Sequence, residues 1–534
     1  MHSPALVKLL ADIVGAENVL SDPADCWSYG YDNSRRHALP DAVAFVTTHA
    51  QVRDIALLCN DRRISLVARG RGTGTTGATV PLQGGVVVSF ERMDKICSID
   101  PDNRVMVVEP GVTNKAVQDA ASAHGFFWPP DPTSAAFCTI GGNLAYNSAG
   151  PRAVKYGTPR ENVLGLRAVT GNGIEIRTGV YTSKGVVGYD LTRLLIGSEG
   201  TLALITQATL KLTPLAETKR TLQAIYADIR SAATAVSRIM AQPITPCALE
   251  FIDGQAIDMI RNYSKTPLPQ HAGALLLIEV DGPQTSMEQA VAAITNAASG
   301  IGLLEIKAAT TAKETAELWE TRKALSPALR NIAPKKINED IVVPVSRLPD
   351  LITGLETLAK KHAITIVNFG HAGNGNIHVN LLIDPDDPEQ MHRAHACLDE
   401  VFSLVLNLNG TLSGEHGVGI EKRDFVDREI DAPTLDLMRA IKRQFDPNGI
   451  LNSGKMFPVK AITMKTSHYP VSFIHFAKRN RPNMLSQRRC HQWDQSPHSG
   501  ATDQITADVL PLPSASHYDP SRLTLSFSAR GLRG

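Results

Sequence analysis

The 534-residue chain has little cysteine chemistry, almost no net charge and no long apolar run. Its seven cysteines are odd in number, scattered and never in a CxxC pair, which argues against a disulfide scaffold, a zinc ribbon or an iron–sulfur module. A formal charge of +1 gives no reason to expect nucleic acid or a membrane surface as a partner. A membrane-spanning helix requires a run of about 18 apolar residues, and the sequence contains none. The N-terminus also lacks the apolar core of a signal peptide. We therefore expect a cytoplasmic protein that is peripheral to a membrane at most through a partner.

The composition is that of a globular protein with an unusual C-terminal end. The chain is 43% hydrophobic and 20% charged, and its length leaves room for about three domains. Residues 460–534 contain 10 Lys or Arg, 4 Asp and no Glu, which leaves 44 basic and 49 acidic residues in the remainder. Because this end is a mixture of Ser, Pro, His and Arg without sustained periodicity, we expect a disordered basic tail over 459–534. An anchor to an anionic surface is the alternative.

The pattern of residues 1–458 predicts two regions that each contain helices and strands. From Asp41 the segments DAVAFVTT, VRDIALLCNDRR and ISLVARG predict a strand, a helix and a strand. The strand in GSEGTLALITQATLKLTP predicts the close of a first domain over 1–215. Residues 216–310 then contain two β-α-β halves, the pattern of a ferredoxin-like layer. Further helices and a second glycine-rich turn complete a predicted second domain over 216–458.

A glycine-rich loop, RGRGTGTTG at residues 69–77, follows a predicted strand with three glycines in GxGxxG spacing. A Rossmann site needs a helix directly after such a loop, but Pro81 and Gly84 forbid one and a strand comes next. A glycine loop between strands can still bind a diphosphate through consecutive backbone N–H groups, and Arg69 and Arg71 would add charge. A tight turn without a ligand is the alternative from this stretch alone.

Four further motifs follow in order: PPDPTS at 129–134, TIGGNLAYNSAG at 139–150, KYG at 155–157 and GSEGTL at 197–202. Together with the glycine loop they resemble the FAD-binding domain of the vanillyl-alcohol oxidase, or PCMH-type, flavoprotein family. Some members attach FAD through a histidine in the first loop, but none lies between His49 and His124, so we expect non-covalent FAD. The resemblance implies FAD contacts from Arg69, Gly70, Arg71, Gly72, Thr73, Gly74, Gly77, Pro132, Thr133, Ser134, Gly141, Gly142, Asn143, Ala145, Gly150, Glu199, Gly200, Ile205 and Asn452.

A second glycine-rich motif contains histidines. In HAGNGNIHVN, His371 and His378 are seven residues apart, and the glycines between them let the chain fold back so that both imidazoles could converge. SGEHGVG then supplies Glu415 and His416. Two histidines and a carboxylate are a ligand set for a divalent metal such as Zn, Mn or Fe. Histidines packed in a tight loop without metal are the alternative.

HxGxGNxHxN followed by GEHG is similar to the C-terminal domain of FAD-linked 2-hydroxy-acid dehydrogenases, which include D-lactate dehydrogenase, the glycolate oxidase flavoprotein subunit and D-2-hydroxyglutarate dehydrogenase. The similarity implies that His371, His378 and Glu415 are metal ligands and that His416 is the base. One departure is Asn374, where many members have Asp. The family pattern around LWETRKALSPALR implies that Arg322 binds the substrate carboxylate. It also implies that Lys336 and Asn380 lie near the substrate. The strand KKINEDIVVP, with Lys336, resembles that of the D-lactate dehydrogenase-like members and differs from the lysine placement expected in hydroxyglutarate dehydrogenases, which accounts less well for a second substrate carboxylate.

The resemblance implies an α+β fold: a PCMH-type FAD-binding domain, a ferredoxin-like substrate domain and a helical C-terminal segment. The expected reaction is oxidation of a small D-2-hydroxy acid to the 2-oxo acid with hydride transfer to flavin N5. D-lactate is the expected substrate. Electrons would pass to a quinone, a cytochrome, an electron-transfer flavoprotein or an iron–sulfur subunit. Glycolate and D-2-hydroxyglutarate are alternative substrates, and an oxygen-using oxidase is a near rival. From another class, the chain could be a non-catalytic FAD-binding scaffold subunit.

Overall fold

The computed structural model describes residues 4–261, 269–329 and 333–458. By its internal contacts the chain separates into Met1–Ile462 and Thr463–Gly534, and everything below lies in the first unit. The predicted tail over 459–534 is outside the described residues. The helices are α1 (Pro4–Val14), α2 (Pro23–Cys26), α3 (His49–Arg62), α4 (Asn114–Ser122), α5 (Ile140–Tyr146), α6 (Ala153–Tyr156), α7 (Leu191–Leu195), α8 (Ile229–Ala241), α9 (Gly254–Ile260), α10 (Met287–Ala298), α11 (Ala312–Ala328), α12 (Leu348–His362), α13 (Pro388–Asn407), α14 (Val426–Glu429) and α15 (Ala432–Phe445).

The strands form three main sheets and one short pair. They are β1 (Val19–Leu20), β2 (Ala42–Phe45), β3 (Leu66–Arg69), β4 (Val86–Ser89), β5 (Ile96–Asp100), β6 (Val105–Val108), β7 (Phe126–Phe127), β8 (Val163–Thr170), β9 (Glu175–Gly179), β10 (Ala203–Lys211), β11 (Thr213–Pro214), β12 (Thr218–Tyr226), β13 (Ala248–Asp253), β14 (Ala274–Gly282), β15 (Leu303–Ala308), β16 (Lys335–Val342), β17 (Thr365–His371) and β18 (Asn376–Ile383).

The N-terminal half contains two of the sheets. One has the order β1-β2-β4-β3, and its three longer strands run parallel. Every residue of β2 and of β4 is buried, as expected for parallel strands covered on both faces. The other sheet is antiparallel with the order β5-β6-β10-β8-β9. The predicted strand–helix–strand unit is confirmed as β2, α3 and β3, with Thr48 and Gln51 forming a capping box at the start of α3.

The C-terminal half is built on a seven-stranded antiparallel sheet with the order β15-β12-β14-β13-β17-β18-β16. Its first four strands, with α8 and α10, have the ferredoxin-like order and confirm that prediction. The sheet continues beyond this layer, because β17 pairs with β13 through three residue pairs. Helices α8, α10, α12 and α13 cover one face, whereas α9 and α11 pack on the other.

Candidate active site

Polar side chains occupy alternate positions on the sheet face that α9 and α11 cover only in part. On β13, Leu249 and Phe251 pack in the α8 layer and Ile252 packs on the opposite side, so Glu250 points to this second face. The same alternation on β16, β17 and β18 directs further polar groups to that face. They are Lys336, Asn338, Asp340, His371 and His378.

The two histidines of the second glycine motif meet across a hairpin. β17 ends at His371, and β18 begins at Asn376 and runs back beside it. Gly375 makes this turn possible, because its φ is +72° and a Cβ there would lie 1.9 Å from the Val343 carbonyl oxygen. The imidazole centroids of His371 and His378 are 5.3 Å apart. The predicted fold-back is therefore present.

Glu415 completes a three-residue cluster of potential metal ligands. Its Oε1 lies 3.4 Å from His371 Nε2 and 3.8 Å from His378 Nε2, and one ligand atom from each residue lies within 4.8 Å of the others. Ligands bound to one ion at about 2.0–2.2 Å are separated by similar distances. The second carboxylate oxygen accepts a 2.9 Å hydrogen bond from Gly150 N–H, so the N-terminal half helps to orient the cluster.

Glu415 and His378 have protonation states that suit a bound cation. Burial would lower the pKa of His371, but Glu250 and Glu415 raise it to about 10, so a metal would displace a proton from this residue. Burial would raise the pKa of Glu415, but hydrogen bonding and charge from His371 hold it well below its usual value. Burial, together with the neighbouring histidines, lowers the pKa of His378 to about 3, which leaves a neutral imidazole. Glu250 Oε1 accepts a 2.6 Å hydrogen bond from His371 Nδ1, which leaves Nε2 facing Glu415. Carboxylate support of this kind is typical of metal-binding histidines, so these residues fit a divalent ion.

His416 lies beside this cluster. Its ring stacks on His378 with centroids 5.2 Å apart, and its Nδ1 faces Asp340 Oδ1 at 3.6 Å. The Asp340 carboxylate is completely buried. Burial would raise its pKa, but interactions with the His416 ring, the Lys422 ammonium and the Glu415 N–H keep that pKa well below its usual value. A neutral imidazole backed by a carboxylate can accept a proton at Nε2.

Arg322 is held in the cavity wall by a buried ion pair. Its Nε donates to Glu250 Oε2 at 2.7 Å, and its guanidinium lies over the Phe369 ring, 4.9 Å from the centroid. Glu250 therefore contacts both His371 and Arg322. Burial would raise its pKa, but these two cationic partners lower it to about 2. Lys336 lines the same cavity, whereas Asn380 does not, because its amide donates to the Val367 and His378 carbonyls.

A cavity of about 1160 Å³ joins the glycine loop to this polar face. That volume exceeds the usual range for a single small ligand, about 300–1,000 Å³. The loop comes close to other structure at its glycines: Gly72 has a φ of +64°, and a Cβ on Gly74 would lie 2.6 Å from the Tyr146 hydroxyl. The predicted FAD residues that line the cavity are Gly70, Arg71, Gly72, Thr73, Gly74, Pro132, Thr133, Ser134, Gly142 and Asn143.

The other predicted FAD residues lie around the cavity and make structural contacts. The Arg69 guanidinium donates to the carbonyls of Tyr31 and Ser28 at 2.6 and 3.1 Å. The Glu199 carboxylate accepts backbone hydrogen bonds from Val418 and Gly419. The remaining members of this group are Gly77, Gly141, Ala145, Gly150, Gly200, Ile205 and Asn452. Of these, Asn452 donates to the Glu199 carbonyl oxygen at 2.6 Å.

Glu250 and Asp340 are buried carboxylates that contact the candidate site residues and that the sequence interpretation did not name. Glu250 lies in the middle of the largely apolar strand ALEFID, whereas Asp340 lies near the end of β16, KKINEDIV, beside other charged and polar residues. A charged residue in a largely apolar strand is the available signal for Glu250, because a buried charge needs a partner. That signal does not say which partner Glu250 has, and no comparable signal marks Asp340.

Known protein families match both halves of the chain. Residues 40–179 match the family model described as FAD binding domain, and residues 215–456 match FAD linked oxidases, C-terminal domain. The fold agrees with that of p-cresol methylhydroxylase, solved with substrate bound, at a TM-score of 0.70 over 85% of this chain and 96% of that chain; the identity is 19%. The predicted α+β, PCMH-type fold is thus confirmed, and the chain is an FAD-linked oxidoreductase.

The chain belongs to the FAD-linked 2-hydroxy-acid dehydrogenase family. It is 40% identical to glycolate oxidase subunit GlcD of Bacillus subtilis, over 84% of this chain and 96% of that protein. It is 36% identical to D-lactate dehydrogenase of Archaeoglobus fulgidus, over 76% and 89%. It is 32% identical to D-2-hydroxyglutarate dehydrogenase of Stutzerimonas stutzeri, over 86% and 100%. In the described part of the chain, no helix is long and apolar enough to cross a bilayer.

Proposed function

We propose that this protein oxidises a small D-2-hydroxy acid to the corresponding 2-oxo acid, with D-lactate as the preferred substrate. The observation that carries the proposal is the shared cavity. Its lining includes the glycine loop, Arg322, the proposed metal ligands and His416. A carboxylate anchor and a base therefore adjoin the proposed flavin site, as oxidation at the carbon next to a carboxylate requires.

Each of these side chains has a proposed role. Arg322 binds the substrate carboxylate with the part of its guanidinium not directed to Glu250, and the planar group suits a two-point contact. His371, His378 and Glu415 would hold a divalent metal, and the 69–77 loop with Asn143 would contact non-covalent FAD. When bound, the metal lowers the pKa of a hydroxyl group and FAD supplies the hydride acceptor.

His416 removes the hydroxyl proton. Its Nδ1 faces the Asp340 carboxylate, which favours the tautomer with the proton on Nδ1 and a free lone pair on Nε2. Nε2 therefore accepts the proton, and the buried Asp340 stabilises the resulting imidazolium.

Two other substrates have specific support. The name of the Bacillus subtilis relative, glycolate oxidase subunit GlcD, supports glycolate. The name of the Stutzerimonas stutzeri relative, D-2-hydroxyglutarate dehydrogenase, supports the dicarboxylate D-2-hydroxyglutarate. After reduction, electrons would leave to a quinone, a cytochrome, an electron-transfer flavoprotein or an iron–sulfur subunit.

The test is a comparison of substrates with an artificial dye as electron acceptor. The purified protein would be assayed with D-lactate, L-lactate, glycolate and D-2-hydroxyglutarate. We expect the highest kcat/KM with D-lactate and little turnover of L-lactate. Preference for glycolate or the dicarboxylate would change the assigned substrate. Turnover of none of these acids would favour the scaffold alternative, and rapid peroxide formation without dye would favour an oxidase.

A further inference from the structure

The segment SGEHGVG at residues 413–419, called the base loop here, directs its backbone N–H groups at two buried carboxylates. The N–H groups of Gly414, Glu415 and His416 donate to Asp340 Oδ2 at 3.0, 2.6 and 2.8 Å. Those of Val418 and Gly419 donate to the two oxygens of Glu199 at 2.6 and 2.7 Å. Successive N–H groups that converge on one anion form an anion-binding nest. Both nests of the base loop are therefore filled by the protein's own side chains.

The two carboxylates come from different halves of the chain, and neither lines the cavity. Asp340 lies on β16, whereas Glu199 lies between α7 and β10. Lys422 Nζ donates to Asp340 Oδ1 at 2.5 Å, which compensates the buried charge of that carboxylate. Because a buried carboxylate is costly without such partners, this arrangement indicates a role beyond filling space.

The base loop carries the two groups on which the proposed reaction depends. Asp340 accepts the N–H of Glu415 and of His416, so it fixes the backbone at both residues. Its other oxygen faces His416 Nδ1. The Ser413 hydroxyl links Asp340 to Gly417, the next residue of the base loop, because it donates to Asp340 Oδ1 and accepts from Gly417 N–H, both at 3.0 Å.

Glu199 fixes the other end of the loop. Gly417 and Gly419 both have positive φ values, +83° and +52°, and a Cβ on Gly417 would lie 2.7 Å from Glu199 Oε1. The loop therefore reaches Glu199 in a backbone conformation that favours glycine. Through this contact the N-terminal half restrains a loop that contains a metal ligand of the proposed site.

We propose that Asp340 and Glu199 are positioning residues that hold Glu415 and His416 in the geometry for metal binding and proton removal. The inference rests on the proposed function, and neither carboxylate contacts the reacting atoms. Asp340 acts directly behind the two residues, and Glu199 acts through the following turn. Removing either carboxylate should weaken metal binding without removing any ligand.

The experiment measures metal affinity of the full-length, FAD-loaded protein by competition between Zn²⁺ binding and a chromophoric chelator. We expect Asp340→Asn to weaken Zn²⁺ binding about 10- to 100-fold, the usual cost of losing a group that orients a ligand. Glu199→Gln should weaken it about 10-fold while FAD content stays that of the wild type. In both variants kcat should fall more than KM rises, because the positioned base acts in the transition state.

Asp446→Asn is the matched control. Asp446 is also buried, pairs with Lys442 and accepts the N–H groups of Ile450 and Leu451 at 3.0 and 2.8 Å, but it contacts no part of the base loop in the described structure. This control should lose thermal stability and keep its Zn²⁺ affinity within about twofold.

The possible outcomes separate the two proposals. If the wild type binds Zn²⁺ and Asp340→Asn binds it equally well, the positioning role is wrong and the proposed function stands. If the wild type binds no Zn²⁺, the metal site fails and the inference fails with it. If Asp340→Asn does not fold, Ser413→Ala decides, because it removes two hydrogen bonds and no charge. We expect about fivefold weaker Zn²⁺ binding from it, and unchanged affinity would refute the positioning role.

Discussion

Glu250→Gln should weaken substrate binding and metal binding together, because one carboxylate supports both sites. Glu250 is 1% exposed and contacts His371 Nδ1 at 2.6 Å and Arg322 Nε at 2.7 Å. Glutamine preserves the volume of the side chain but removes the charge and replaces one acceptor oxygen by a donor. One of the two cationic partners then loses its acceptor, and the other keeps a neutral acceptor in place of a charged one, so both interactions weaken.

The structure sets the expected size of the effect. A hydrogen bond to a charged group contributes about 1.5–3 kcal/mol, so the loss at Arg322 should raise KM about 10- to 150-fold. The loss of the carboxylate behind His371 should weaken metal binding about 10- to 100-fold. At subsaturating metal the two effects combine, and kcat/KM should fall by a factor of about 100 or more.

The assay is dye-linked turnover of D-lactate as a function of added Zn²⁺, with thermal unfolding measured in parallel. Asp253→Asn is the control, because Asp253 is a buried carboxylate on the same strand that accepts the N–H groups of Ala256 and Asn368 and does not line the cavity. It should lose stability but retain kcat/KM. If Glu250→Gln retains both KM and metal affinity while folding normally, the assigned roles of Arg322 and His371 are wrong.

Three further predictions follow from single groups. His416→Ala should lower kcat about 10²- to 10⁴-fold with FAD content unchanged, since it removes the base; nearly intact turnover would contradict that role. Gly72→Ala should lower the FAD content of the purified protein, because a φ of +64° disfavours a residue with a Cβ and that Cβ would lie 2.3 Å from the Arg69 guanidinium. Full FAD occupancy would argue against a role of this loop in FAD binding. Burial would lower the pKa of His371, but Glu250 and Glu415 raise it to about 10, so the metal-free protein should keep this stabilisation below pH 6.5 or so. It should lose at most about 5 kcal/mol as the pH rises towards 10, and urea midpoints that do not change over this range would refute the contact.

Local patterns predicted much of the fold. The two β-α-β halves of residues 216–310 form β12 to β15 with α8 and α10 in the expected order, because each unit follows from its own periodicity. The extension by β17, β18 and β16 was not predicted. The contact between β13 and β17 joins Glu250 to His371 in register, and no local signal specifies a pairing across more than a hundred residues.

The candidate site, like the fold, could be predicted only in part. The approach of His371 and His378 could be predicted, because Gly373 and Gly375 between them indicate a turn. Glu250 could not be assigned, since its partners are 121 and 72 residues away. Glu199 belongs to a predicted FAD motif, but its carboxylate bonds to the base loop, 219 and 220 residues further along the chain. Motif resemblance therefore indicated the candidate site, and the structure was needed to identify the carboxylates that contact its residues.

The central claim is that a 2-hydroxy acid reduces a flavin bound to this chain at a metal-dependent site. Anaerobic flavin bleaching tests it most directly: D-lactate, L-lactate, glycolate and D-2-hydroxyglutarate are added separately to the FAD-loaded protein before and after EDTA treatment. We predict that D-lactate bleaches the flavin absorbance, that L-lactate does not, and that EDTA abolishes the bleaching until Zn²⁺ or Mn²⁺ is restored. A bound flavin that none of these acids bleaches in the presence of metal would contradict the account.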